Sequence, residues 1–83
     1  MKREKIGSWA DDECFYVSIV DGPRFALMAG PFRTHQEALN LVNEAQEIGR
    51  EIEPASHFYG WGTVKMANGY RTGRLNSNLG LTV

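Results

Sequence analysis

Cysteine is nearly missing from this chain. Cys14 is the only one, so an intramolecular disulfide is excluded, as is a cysteine metal cluster, and a reducing compartment is expected. Long apolar runs are missing too. No stretch approaches the ~20 consecutive apolar residues of a membrane span. The start, Met1-Lys2-Arg3-Glu4-Lys5, is basic, but the polar segment Gly7–Glu13 follows it where a secretory signal would place an apolar core. Cytoplasm is therefore the expected location, with no membrane contact. Net charge is small, −1, too little to coat duplex DNA through charge alone. Acids are absent from residues 54–83, which carry Lys65, Arg71 and Arg74, whereas residues 1–53 carry ten acids against six basic residues. The chain thus reads as an acidic body with a mildly basic C-terminal third, an asymmetry that can mark an interaction face.

What is present makes one small domain. A chain of 83 residues buries only about 60–65% of its unfolded surface, so its core is thin and a deep substrate cleft is hard to build. Residues 1–13 are polar with one large apolar residue, Trp9, and read as an arm that Trp9 pins to the core edge. Cys14–Val20 alternates Phe15, Val17 and Ile19 against Tyr16, Ser18 and Val20, the period of a half-buried strand. Asp21-Gly22-Pro23-Arg24 carries turn chemistry. Phe25–Ala29 then returns as the second strand of a hairpin.

Gly30-Pro31 ends that strand, and Thr34-His35-Gln36-Glu37 fits a capping box. The Thr34 hydroxyl would accept from the N–H of Glu37, and the Glu37 side chain would reach back to the N–H of Thr34. The helix this opens is expected from about His35 to Ile48. Its apolar stripe is Ala38, Leu41, Val42, Ala45 and Ile48, spaced three and four apart. Gly49 is a candidate stop; alternatively Ile52 extends the stripe and the helix runs on to Glu53, before Pro54. His57–Met66 reads as a third strand, with Phe58, Val64 and Met66 on one face and His57, Tyr59, Trp61, Thr63 and Lys65 on the other. Asn68-Gly69 is a turn signal, and Tyr70–Val83 lacks clear periodicity.

The fold expected is α+β: a small β-β-α-β domain over residues 14–67, with a mainly antiparallel three-stranded sheet and one helix on one face. Residues 1–13 form the arm and residues 68–83 an extended C-terminal tail. The helix would cover Phe15, Val17, Ile19, Phe25, Leu27, Phe58, Val64 and Met66. The other face would show Tyr16, Ser18, Val20, Met28, Tyr59, Trp61 and Lys65. A contiguous aromatic patch on an uncovered face calls for an explanation. Three stay open: the arm or the tail, with Leu75 and Leu79, folds over it; it docks a protein, either a partner or a second copy; or it stacks single-stranded nucleic acid, with Lys65, Arg71 and Arg74 on the phosphates. The candidate partner-binding residues are Tyr16, Tyr59, Trp61, Lys65, Arg71 and Arg74.

Catalytic patterns are thin. Cys14, His35 and His57 start three different elements, and nothing in their spacing assembles a nucleophile with a base or a metal site. Glu44, Glu47 and Glu51 share a helix face, which reads as solvated. Gly60-Trp61-Gly62 lacks the Lys-Ser/Thr pair and following helix of a phosphate loop. No enzyme, cofactor, metal or small-molecule substrate is expected.

Two resemblances add to this reading. Ala29-Gly30-Pro31-Phe32-Arg33-Thr34-His35-Gln36-Glu37-Ala38-Leu39 resembles one half of a SPOR domain, the septal peptidoglycan-binding module, whose second half reads as strand, Gly-Pro-Phe, polar residues and a Glu-Ala helix start. That likeness implies the strand–turn–helix connection, and no binding residue is carried over. The wider pattern runs from Tyr16-Val17-Ser18 through Gly30-Pro31-Phe32 and Phe58-Tyr59-Gly60-Trp61-Gly62-Thr63 to Gly73-Arg74-Leu75-Asn76. It is similar to small accessory proteins carried by phages, plasmids and integrative elements of proteobacteria. It implies a non-enzymatic binding protein that acts by protein–protein contact, such as an anti-defence inhibitor of a host complex; the alternative is a single-stranded nucleic-acid-binding module using the aromatic face and the basic tail.

Overall fold

A computed structural model describes residues 11–81. The expected arm contact of Trp9 lies outside the described residues. Alternating, β-branched and aromatic composition makes β1, Cys14–Asp21, the central strand of the sheet. A two-residue turn, with Gly22 at φ 60°, leads into β2, Arg24–Phe32. Positive φ at the first central position is what a II′ hairpin turn requires. Arg24 Nη2 donates to Asp21 Oδ2 at 2.7 Å across it. β3, Gly60–Met66, lies antiparallel on the other side of β1, giving the order β2-β1-β3.

The capping box forms as expected. Glu37 N donates to Thr34 Oγ1 at 3.2 Å, and Thr34 N donates to Glu37 Oε1 at 3.1 Å. It opens α1, His35–Asn40. The expected single helix is interrupted once, at Leu41, whose N–H bonds the carbonyl of Ala38 at 3.1 Å in a tightened turn. α2, Val42–Ile52, continues the chain. Gly49 does not stop it, and the longer alternative holds, with Glu53 as C-cap. A 3-10 turn over Pro54–Phe58 replaces the first residues of the expected third strand. The stripe of Ala38, Leu41, Val42, Ala45 and Ile48 packs on the sheet with Phe15, Val17 and Ile19.

Facing in the outer strands differs from the expectation, and strand pairing is the reason. The two-residue turn pairs Val20 with Phe25 and Ser18 with Leu27. Phe25 and Leu27 therefore share the Tyr16 side of the sheet, and Met28 joins the helix-side core. Register shifts between Phe15 and Ser18 bend β2 further. β3 pairs Ile19 with Trp61, Val17 with Thr63 and Phe15 with Lys65, and Tyr16 with Val64. Trp61 thus lies on the helix side, while Val64 and Met66 pack on the outer side with Cys14, Tyr16 and Leu27. Gly49 explains the exchange. A Cβ there would stand 2.7 Å from Trp61 Cζ2, so the indole lies directly on the helix backbone. Its Nε1 donates to the Ser56 carbonyl at 3.0 Å. Burying the indole against α2 removes more apolar surface from water than burying Val64 there.

The expected extended tail is a packed strap. Cys14 Sγ donates to the Asn68 carbonyl at 3.1 Å, and Tyr16 OH donates to the Arg71 carbonyl. The strap then crosses the outer edge of β2: Gly73 N donates to Gly30 O at 3.2 Å, Arg74 N to Leu27 O at 3.1 Å and Leu75 N to Met28 O at 2.7 Å. A Cβ on Gly73 would sit 2.4 Å from Ala29 Cα, so only glycine permits this approach. Asn76 clamps the backbone of one residue: Gly30 N donates to its Oδ1 at 2.9 Å, and its Nδ2 donates to Gly30 O at 2.5 Å. Gly30 takes φ 126°, outside the range L side chains favour, and the Tyr16 ring lies against it. On either side of the clamp, Leu75, Leu79 and Leu81 enter the helix-side core.

Candidate functional site

The structure does not gather the six expected partner-binding residues on one surface. Tyr16 is 0% exposed, its ring covered by the strap. Burial, and then the neighbouring Cys14, push its phenol up to about 12. Trp61 lies on the opposite side of the sheet, against Gly49. Lys65 is exposed on the helix side and pairs with Glu13 at 3.4 Å. Arg71 is exposed and gives its carbonyl to Tyr16. Tyr59 and Arg74 alone of the six meet at a common feature, a cleft of about 370 Å³.

That cleft is assembled where five segments meet. The close of β1 supplies Ile19 and Asp21, and the start of β2 supplies Arg24, Phe25 and Ala26. The C-cap of α2 supplies Glu53, the residue before β3 supplies Tyr59, and the strap supplies Arg74. The hairpin turn, the helix cap and the strap each place their charged residue by local backbone geometry. Arg74 is held by its own N–H on Leu27 O. Tyr59 OH donates to Glu53 Oε2 at 3.1 Å. Partial desolvation and this bond hold the Tyr59 phenol above its usual range. Asp21, through its hydrogen bond and its charge, holds Arg24 above the ordinary arginine range, with Glu53 adding to it.

Around the cleft the apolar surface is open. Val20 is 48% exposed, Phe25 50%, Ile52 61% and Phe58 86%. Phe25 lines the cleft, and each of the other three is a chain neighbour of a residue that does. Sequence reasoning missed this end because it placed Phe25 and Phe58 under the helix. The signal was available: a two-residue turn at Gly22-Pro23 forces Val20 and Phe25 onto one face.

The titratable residues elsewhere are dispersed. His35 Nε2 lies 3.0 Å from Thr63 Oγ1, and its ring leans on Phe15. The His57 ring meets Phe58 edge-on at 5.3 Å. Cys14 is buried, which raises its thiol above the usual range. Among the described residues, no group of three or more His, Cys, Asp or Glu could hold a metal ion. None of their helices is long and apolar enough to cross a membrane. The Ser56 hydroxyl is buried beside Gly49 with no partner among the described residues, and they assemble no chemistry around it. No family model, curated protein or solved structure matches the chain.

Proposed function

We propose that the protein is a non-enzymatic binding protein that docks a protein partner at the open end of its sheet, around the Tyr59–Arg74 cleft. One observation carries this reading: half-exposed Phe25 lines a cleft bearing Tyr59 and two arginines, and the exposed Val20, Ile52 and Phe58 adjoin its lining residues along the chain. A domain this small gains from every apolar contact it can make. Leaving two phenylalanines and two aliphatics in water costs stability that a docking surface recovers on binding. Aromatic residues and arginine are also the side chains enriched at the centres of protein interfaces. The narrower role, an accessory protein of a mobile element that blocks a host or defence complex, is supported by the overall pattern resemblance. Burial of Tyr16 and the packing of half-buried Trp61 on the opposite side of the sheet weigh against the nucleic-acid alternative, which needed both on one stacking platform.

Site-specific photo-crosslinking tests the proposal. Benzoylphenylalanine replaces Phe58 in one version of the chain and Asn43, on exposed α2, in another, each expressed in the host cell. The expected result is a nuclease-resistant protein adduct from position 58 and none from position 43. No adduct at 58, or one that nuclease removes, overturns the proposal.

A further inference from the structure

We infer that the partner segment seated in this cleft carries a carboxylate beside an apolar side chain, the carboxylate pairing with Arg74 and the apolar group resting on Ile19 and Ala26. The inference rests on the docking surface proposed above and names the chemistry that surface selects.

Four charged groups line the cleft: Asp21, Glu53, Arg24 and Arg74. Their charges cancel, so the lining has no bulk preference for either sign. Their hydrogen bonding is unequal. Asp21 already accepts from Arg24 at 2.7 Å, and Glu53 accepts from Tyr59 OH at 3.1 Å. Among the described residues, the guanidinium of Arg74 is the unpaired member of the set. Its backbone is fixed by the N–H to Leu27 O, with the neighbouring Gly73 and Leu75 tied to the same strand edge. The free group is thus the tip of a side chain whose root does not move. A planar guanidinium with open donors takes a carboxylate in a two-point, charge-assisted pair. A cationic ligand group would instead share its acid with Arg24 or Tyr59, each of which already donates to one oxygen of it. A phosphate backbone spreads several negative charges and would bring some of them to Asp21 and Glu53, whereas a single carboxylate meets Arg74 alone. The floor next to Arg74 is apolar, so the carboxylate must come with a hydrophobic neighbour to fill the cleft.

Two peptides serve as probes, acetyl-Leu-Glu-Leu-amide and acetyl-Leu-Gln-Leu-amide, each titrated into the isotope-labelled full chain and followed by NMR. The expected result is movement of the Phe25, Ala26 and Arg74 resonances, with the Glu peptide binding about fivefold more tightly or better, as a charge-assisted pair requires. Arg74→Gln should bring the two affinities together, while Arg71→Gln, an exposed cation three residues away, should leave the preference intact. Equal affinities in the unaltered chain, or a preference that survives Arg74→Gln, overturn the inference. If that happens while crosslinking at position 58 persists, the docking surface stands and the carboxylate falls. Loss of the crosslink removes the surface itself.

Discussion

The two ends of the sheet treat the same kinds of side chain in opposite ways. At the strap end, Cys14 and Tyr16 are fully buried, each polar atom on a backbone carbonyl, and Asn76 satisfies both backbone polar groups of Gly30. At the cleft end, Val20, Phe25 and Phe58 stay in water and Arg74 has no ion partner among the described residues. The strands joining the two ends are the same ones. What differs is the strap, which crosses β2 from Leu27 to Gly30 and leaves the hairpin turn uncovered. Stability is therefore concentrated at one end, and the surface free to bind at the other.

Four substitutions break or sharpen this contrast. The largest effect is expected from Gly73→Ala. Its new Cβ meets the β2 backbone, at 2.4 Å from Ala29 Cα and 2.6 Å from Ala29 N, so the strap must lift. A loss of about 3 kcal/mol or more is expected in denaturant unfolding, with exchange protection lost at Gly73 and Leu75. Asn76→Ala comes next. It strips the Gly30 N–H of its buried acceptor, at a cost of about 2 kcal/mol.

Tyr16→Phe is milder, about 1 kcal/mol at neutral pH for one lost hydrogen bond. Its sharper readout is pH. The unfolded chain ionises Tyr16 near 10.0, the folded one near about 12. Stability from this group is full below pH 10 and falls between pH 10 and 12, because the unfolded state releases its proton first. The loss reaches about 2 kcal/mol at most, and Cys14, also held above its usual range by burial, adds in the same direction. Urea unfolding at pH 8 and pH 11 should show this loss in the native chain and a smaller one in Tyr16→Phe. Phe58→Ser closes the order. The side chain is 86% exposed, so its removal should change stability by less than about 0.5 kcal/mol while weakening partner binding at least tenfold in a titration, as a hot-spot loss does.

Much of the fold was legible locally. The Thr34–Glu37 box and the three-and-four spacing of Ala38, Leu41, Val42, Ala45 and Ile48 act within a few residues, and both appear as read. The hairpin, signalled by Gly22-Pro23, does too. The candidate site was not read in the same way. Tyr16, Tyr59 and Trp61 were grouped by alternation within each strand, but alternation does not say which parity faces the helix. Of the residues expected there, Tyr59 and Arg74 reach the cleft. Phe25 and Phe58 define it from positions that had been assigned to the core.

By itself, then, the amino-acid order determined the elements and their sequence: two strands joined by a tight turn, a capped amphipathic helical segment, and a third strand. Their signals are hydrogen bonds and side-chain spacings a few residues long, and they act before the chain is compact. Tertiary structure alone decided the facing of β3, the return of residues 68–81 across β2, and hence which end stayed open. Those choices depend on contacts between distant positions, Trp61 on Gly49 and Asn76 on Gly30. Close packing rewards such contacts only once the whole chain has come together.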